Sequence, residues 1–164
     1  MITTSTLART SGIAAARTGW SVARVSILAG AAALAVIEAY GAIARAAGVP
    51  LRAAGLGDHT LTQVNAGWLA FGVGIGVFWG TVLAVAFARW AARPARVFLA
   101  TTLPLLALSL VGPLTAQGTT ATKLTLAGGH LIAAAIIIPA VTRRLGRARG
   151  QDAPGPARVF APSA

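Results

Sequence analysis

Two ionisable side chains stand inside apolar stretches of this 164-residue sequence, and they are the residues best placed to do chemistry. Glu38 interrupts the apolar run 25–44 and lies seven residues before Arg45, while His130 lies seven residues after Lys123. Seven residues of α-helix rise about 10 Å. If the two basic residues mark one membrane surface, the carboxyl and the imidazole lie at a similar depth, where they could share a proton or form an ion pair.

Two further polar residues could complete an intramembrane polar site with this pair. Asn65 lies near the start of the second apolar run and Ser109 near the end of the third. Both positions are close to the same membrane surface, so we expect the four side chains in one pocket. A structural role is the alternative for each ionisable group: Glu38 could pair with Arg45, two turns away on one helix face, and His130 could hydrogen-bond a backbone carbonyl.

Sequence motifs for catalysis are not found in the chain. The patterns HExxH, GxSxG and GxxxxGK[ST] do not occur, although they carry metalloprotease, acyl-transfer and phosphate-binding chemistry in other proteins. Three acidic residues in total are too few for a Mg²⁺ or Ca²⁺ site, and the chain has no cysteine to act as a ligand or nucleophile. We therefore expect no catalytic residue, no metal site, no cofactor and no enzymatic activity.

A stripe of glycines marks the second apolar run. Gly72, Gly76 and Gly80 recur every four residues, which places them on one face of a helix. Glycine weakens a helix in water, but in a bilayer a stripe of small residues lets two helix backbones approach closely. The stripe therefore predicts helix packing, either between helices of this chain or between two copies of it.

The composition is that of a polytopic membrane protein. Hydrophobic residues make up 56% of the chain and charged residues only 10%, which is too little polar surface for a soluble domain. About 20 apolar residues span a hydrocarbon core of roughly 30 Å. The predicted fold is all-α, a four-transmembrane-helix bundle over residues 21–147, with helices at about 24–45, 63–89, 96–112 and 123–142. Residues 1–20 are predicted to form a flexible tail and residues 148–164 a disordered one.

The distribution of basic residues predicts the orientation. A net charge of +11 would suggest nucleic-acid binding in a soluble protein. Here most basic residues flank the apolar runs, so we expect no nucleic-acid partner. Of the 14 Lys and Arg residues, most lie in the two terminal segments or in the turn between the second and third runs. The positive-inside rule therefore places both termini in the cytoplasm of a protein of the plasma membrane.

The second half of the chain resembles a known family of membrane proteins. It contains the turn GPLT at residues 112–115, a Thr- and Ala-rich linker, and a final helix in which His130 and Leu131 are followed by Pro139. This pattern is similar to that of actinobacterial four-helix membrane proteins in the domain-of-unknown-function family numbered 6069. The resemblance implies the same fold from the first helix to Arg147. It implies no mechanism, because that family has no established activity.

These observations favour a small integral plasma-membrane protein that has no catalytic activity and acts as an accessory or interaction subunit. Its expected partners are the lipid bilayer and another membrane protein or a second copy of the chain. The alternative is a small proton-coupled transporter in which Glu38 titrates and His130 assists. Small multidrug carriers resemble this arrangement, since they also have four helices with an acid in the first.

The predicted topology can be tested with reporter fusions. We expect green fluorescent protein to fluoresce, and alkaline phosphatase to be inactive, when either is fused to the N- or the C-terminus, because basic flanking segments are retained in the cytoplasm. Phosphatase inserted within residues 112–123 is the control and should be active. Phosphatase activity at one terminus but not the other would contradict the topology.

Overall fold

Four long helices make up most of the part of the chain that the structure describes. The computed structural model describes residues 3–54, 60–65 and 67–151, with the side chains of residues 18–148 within those ranges. The elements are α1 (Thr3–Ala46), β1 (Arg52–Ala53), β2 (Thr62–Gln63), α2 (Trp68–Trp90), α3 (Pro94–Thr115) and α4 (Thr120–Gln151). Each helix contains a segment long and apolar enough to cross a membrane. This confirms the predicted all-α bundle of four transmembrane helices.

The α1–α2 and α3–α4 connections meet at one end of the bundle, called here the hairpin end. Strands β1 and β2 pair antiparallel in the first connection, and Ala54 then forms a β-bridge with Gln117 in the second. The Thr122 hydroxyl, at the start of α4, donates a hydrogen bond to the Pro50 carbonyl at 2.6 Å. These hydrogen bonds join the described parts of the two connections.

The opposite end of the bundle, the terminal end, contains the larger apolar core. One buried residue from α1, one from α2, one from α3 and two from α4 form this cluster: Val22, Ala84, Phe98, Val141 and Leu145. Beside it, Arg144 Nη2 donates a hydrogen bond to Ser21 Oγ at 2.6 Å. The start of the membrane-spanning part of α1 and the end of α4 therefore lie at the same end of the bundle.

The helices do not pack equally against one another. α1 packs on both α2 and α4, and α3 packs mainly on α4, whereas α2 and α3 touch each other sparsely. In the most apolar part of α1 and of α4, 28% of the residues are buried, against 6% in α2 and in α3. The bundle is therefore a curved row in the order α2, α1, α4, α3, and a groove remains between its two outer helices.

The N-terminal boundary differs from the sequence-based expectation. α1 begins at Thr3, whereas residues 1–20 were expected to form a flexible tail and the helix to start near residue 24. Ala, Leu and Arg have high helix propensities, and the first proline of the chain is Pro50. Nothing in this stretch therefore interrupts a helix that has already formed in the membrane-spanning part.

The other helix boundaries differ from expectation by a few residues. α2 begins at Trp68 rather than near 63, because residues 62–63 are paired as β2. α3 is longer than expected at both ends and starts with Pro94, a residue suited to the first helical position. α4 continues to Gln151 rather than ending near 142. The remainder of the predicted C-terminal tail lies outside the described residues.

Close helix contacts in the bundle are made by glycines other than the predicted stripe. A Cβ atom at Gly30 of α1 would lie 2.5 Å from Val77 Cγ1 of α2, and one at Gly128 of α4 would lie 2.6 Å from the Tyr40 hydroxyl of α1. Cβ atoms at Gly72, Gly76 and Gly80 would meet no atom of the described residues within 4 Å. The stripe therefore does not pack helices of this chain together. Its use between chains stays a prediction.

The contact at Gly30 predicts a position-specific loss of stability. Gly30→Val forces a side chain into Val77 and should lower the free energy of unfolding by about 1–3 kcal/mol, the usual cost of overpacking. Gly74→Val is the matched control, because a Cβ at Gly74 meets nothing within 4 Å among the described residues. Denaturant titration in detergent measures both variants, and equal transition midpoints for the two would contradict the packing described here.

Candidate functional site

The carboxylate of Glu38 binds the N-terminus of α2. Its Oε1 accepts hydrogen bonds from the backbone amides of Gly67 and Ala70, both at 3.1 Å. Gly67 is the residue before α2, and Ala70 is the third residue of the helix. These two amides are among the donors that every helix leaves without an intrahelical acceptor.

Glu38 of α1 caps the N-terminus of α2, because the residue directly before α2 has no side chain that could do so. Gly67 has a left-handed backbone conformation, with φ of 91°, and no side chain that could accept a hydrogen bond. In a capping box two different side chains bind the amides at these two positions, whereas here one oxygen from α1 binds both. The carboxylate is also attracted to the positive end of the α2 dipole. Two backbone amides thereby solvate a charge that lies inside an apolar run.

Arg45, the predicted ionic partner of Glu38, turns back along α1 without reaching it. Its Nη1 lies 3.6 Å from the position that a Cβ would take at Gly41, one turn beyond Glu38. That nitrogen is buried and has no hydrogen-bond partner within the described part of the chain. The alternative in which Arg45 pairs directly with Glu38 is therefore wrong, and α2 takes the place of Arg45 as the partner.

The imidazole of His130 is held by its own helix. Its Nδ1 lies 2.9 Å from the carbonyl oxygen of Leu126. Because a carbonyl oxygen only accepts hydrogen bonds, Nδ1 carries the proton and Nε2 of the neutral ring has a lone pair. This is the structural alternative predicted for His130. Nε2 has no hydrogen-bond partner among the described residues. This atom is not one of the fully buried nitrogen and oxygen atoms, so another molecule can reach it.

A cleft of about 510 Å³ opens beside His130 at the hairpin end. It lies between α1, the β-hairpin, α2 and α4, and we call it the hairpin cleft. Most of its wall is apolar, and Thr62, Gln63 and His130 contribute its polar side chains. The apolar part of the wall includes Ile37, Trp68, Leu69, Val73 and Leu126.

A second cavity of about 360 Å³ is the space between the two outer helices, called here the α2–α3 groove. Gly72, Gly76 and Gly80 line it from α2, and Leu105 and Ser109 line it from α3. Residues of α4 form its floor. Three residues line both this groove and the hairpin cleft: Gly72, Val73 and His130.

The four residues predicted to form one polar site do not lie together in the structure. Ser109 and His130 both line the α2–α3 groove, although the Ser109 hydroxyl donates to the Leu106 carbonyl of its own helix at 2.7 Å. Glu38 and Asn65 are not among the residues that line the groove. Glu38 binds the end of α2, and the exposed Asn65 lies before that helix. No ion pair joins Glu38 to His130 within the described residues, where each makes its hydrogen bonds to backbone groups.

Metal binding has no support in the described ranges, where no group of three or more His, Cys, Asp or Glu side chains comes together.

The sequence analysis did not predict a role for Gln63 or for the amides of Gly67 and Ala70. One signal for the amides was present: no Ser, Thr, Asp or Asn stands directly before Trp68, so α2 needs a cap from elsewhere.

These features define a small membrane protein with four transmembrane helices. The family model described as "Family of unknown function (DUF6069)" matches residues 8–147. The chain belongs to this family, which confirms the predicted resemblance. The search of curated proteins and the search of solved structures gave no match.

The role of Glu38 as a cap makes a prediction about two substitutions. Glu38→Ala leaves the Gly67 and Ala70 amides unpaired and should lower the free energy of unfolding by about 1–3 kcal/mol. Glu38→Gln keeps a carbonyl oxygen that can accept both bonds, so we expect a smaller loss. Denaturant titration gives the stabilities, and hydrogen exchange reports on the two amides. Equal exchange at these amides in Glu38→Ala and the native chain would rule out the cap.

Proposed function

We propose that this protein is an accessory subunit of the plasma membrane, without catalytic activity, that binds a transmembrane helix of another membrane protein in the α2–α3 groove. The observation that carries the proposal is the open glycine stripe. Three glycines one turn apart line this groove, and Cβ atoms built on them meet no atom of the described residues within 4 Å.

The groove has the surface that helix association in lipid requires. From Gly72 to Gly80 the stripe extends about 12 Å, which is two helical turns. Lipid tails are as apolar as the helices, so close backbone packing at small residues provides much of the attraction between them. The other wall presents no unpaired hydroxyl, because Thr102 and Ser109 donate to carbonyl oxygens of α3 itself. An apolar partner helix therefore loses no hydrogen bond on docking.

The hydrogen bonds of the polar residues favour this role over proton-coupled transport. Glu38 accepts two backbone hydrogen bonds, and His130 Nδ1 binds a backbone carbonyl. A proton carrier needs groups that gain and lose protons during turnover, whereas Glu38 caps α2 and the His130 ring is bonded to its own helix. Glu38 is also not among the residues lining either cavity.

The arrangement of basic residues supports the cytoplasmic placement of the terminal end. Seven arginines with described side chains lie in the parts of the helices and the turn near that end: Arg24, Arg89, Arg93, Arg96, Arg143, Arg144 and Arg147. Arg45, Arg52 and Lys123 lie near the hairpin end. The positive-inside rule then puts both chain ends in the cytoplasm and the β-hairpin outside.

Site-specific photo-crosslinking tests the proposed interaction. Benzoylphenylalanine replaces Leu105, which lines the groove from α3, in the full chain in its native membrane. We expect one discrete protein adduct on illumination. Gly76→Leu fills the groove and should remove most of that adduct, because the partner helix can no longer approach α2.

Gly74→Leu is the control for this experiment. Gly74 lies on the same helix, a Cβ there meets nothing within 4 Å among the described residues, and it is not among the residues lining the groove. Its adduct yield should match that of the native chain. Adducts with lipid alone, or equal losses in both variants, would overturn the proposal. An adduct with a second copy of the chain would overturn the choice of a different protein as the partner.

A further inference from the structure

We propose that the hairpin cleft binds an uncharged lipophilic alcohol, whose hydroxyl donates a hydrogen bond to Nε2 of His130. The hairpin cleft adjoins the α2–α3 groove and shares Gly72, Val73 and His130 with it, and its remaining lining residues are its own. Its volume of about 510 Å³ lies within the range of small-molecule pockets, which is about 300–1,000 Å³. Residues of α1, the β-hairpin, α2 and α4 line it, so it is a cleft between several elements and not one exposed helix face.

The shape of the hairpin cleft depends on two residues without side chains. Gly72 of α2 and Gly129 of α4 both line it. A Cβ at Gly72 meets nothing within 4 Å among the described residues, and one at Gly129 meets only Ile37 Cγ2 at 3.9 Å, an ordinary contact. A Cβ atom therefore fits at both positions without displacing a neighbouring helix. Substitutions at these two glycines can thus separate filling of the cavity from loss of the fold.

The charges around the cleft select an uncharged ligand. Among the described residues that line the cleft there is no aspartate, glutamate, lysine or arginine, and the polar side chains there come from Thr62, Gln63 and His130. An ionised head group in this apolar site would lose its hydration without gaining a counter-charge. A neutral polar head keeps that cost small, and the apolar wall of the cleft suits the body of a lipophile.

The tautomer of His130 decides which neutral head group fits. Nδ1–H donates to the Leu126 carbonyl at 2.9 Å, so Nε2 of the neutral ring can only accept. A ligand must therefore bring a donor, which an alcohol has and an ether or a ketone lacks. Gln63 makes no side-chain hydrogen bond within the described residues, and its amide group can donate to the oxygen of the same hydroxyl.

Photolabelling of the full chain in phosphatidylcholine nanodiscs tests this site. The probe is a 12-carbon alcohol with a diazirine at mid-chain, and unlabelled dodecanol and its methyl ether are the competitors. We expect adducts on the residues lining the cleft. Dodecanol should compete about 2- to 10-fold better than the ether, the ratio that one net hydrogen bond provides. His130→Phe keeps an aromatic ring at this position but removes the acceptor nitrogen, and it should abolish this preference.

The matched variants are Gly129→Leu, which fills the cleft, and Gly146→Leu, which adds the same side chain to α4 in open space at the terminal end. Labelling should be lost in the first and unchanged in the second. Gly72→Leu repeats the test from α2 if Gly129→Leu does not fold. Equal competition by the alcohol and the ether in the native chain would overturn the proposal. Labelling that persists in a folded cleft-filling variant, or that spreads along α2 and α3, would also overturn it.

Discussion

The hydrogen bonds from the Gly67 and Ala70 amides to Glu38 determine where α2 begins, and much of the bundle depends on that depth. Glu38 lies eight residues before Ala46, the last residue of α1, so α2 starts about 12 Å below the end of its neighbour. A carboxylate within an apolar run is costly, and so is a helix N-terminus with unpaired amides in lipid. The carboxylate and the two amides satisfy each other, which explains how α2 can begin below the end of α1 without a cap from its own preceding residues.

This depth difference creates the space that the β-hairpin occupies. Because α2 begins deeper in the bundle than α1 ends, the connection between them folds over the start of α2. Leu51 and Ala54 of this connection are buried there. The hairpin covers the space incompletely, and the remainder is the hairpin cleft beside His130. Both cavities therefore result from how α2 is placed: its recessed start leaves the cleft, and its packing on α1 rather than on α3 leaves the α2–α3 groove.

Hydropathy and spacing predicted the helices well and their contacts less well. Four apolar runs are a local property of the sequence, so the fold class could be predicted from them. The similar depths of Glu38 and His130 did not bring them together, because each hydrogen-bonds backbone groups, and depth alone does not show which groups lie nearest. The glycine spacing showed that Gly72, Gly76 and Gly80 share a face. Contact depends on the facing helix, however, and the tight approaches occur at Gly30, Gly41 and Gly128.

The polar groups of this bundle are mostly used by its own backbone, and this limits what its surfaces can recognise. The hydroxyls of α3 donate within that helix, and Glu38 is bound to α2. The hairpin cleft and the α2–α3 groove are therefore distinguished by their shape rather than by charge, and glycines determine much of that shape. Nε2 of His130 stays open to a ligand, because its ring is fixed from the opposite nitrogen. A fixed acceptor beside an apolar cavity can discriminate between ligands that differ by one proton donor, which shape alone cannot do.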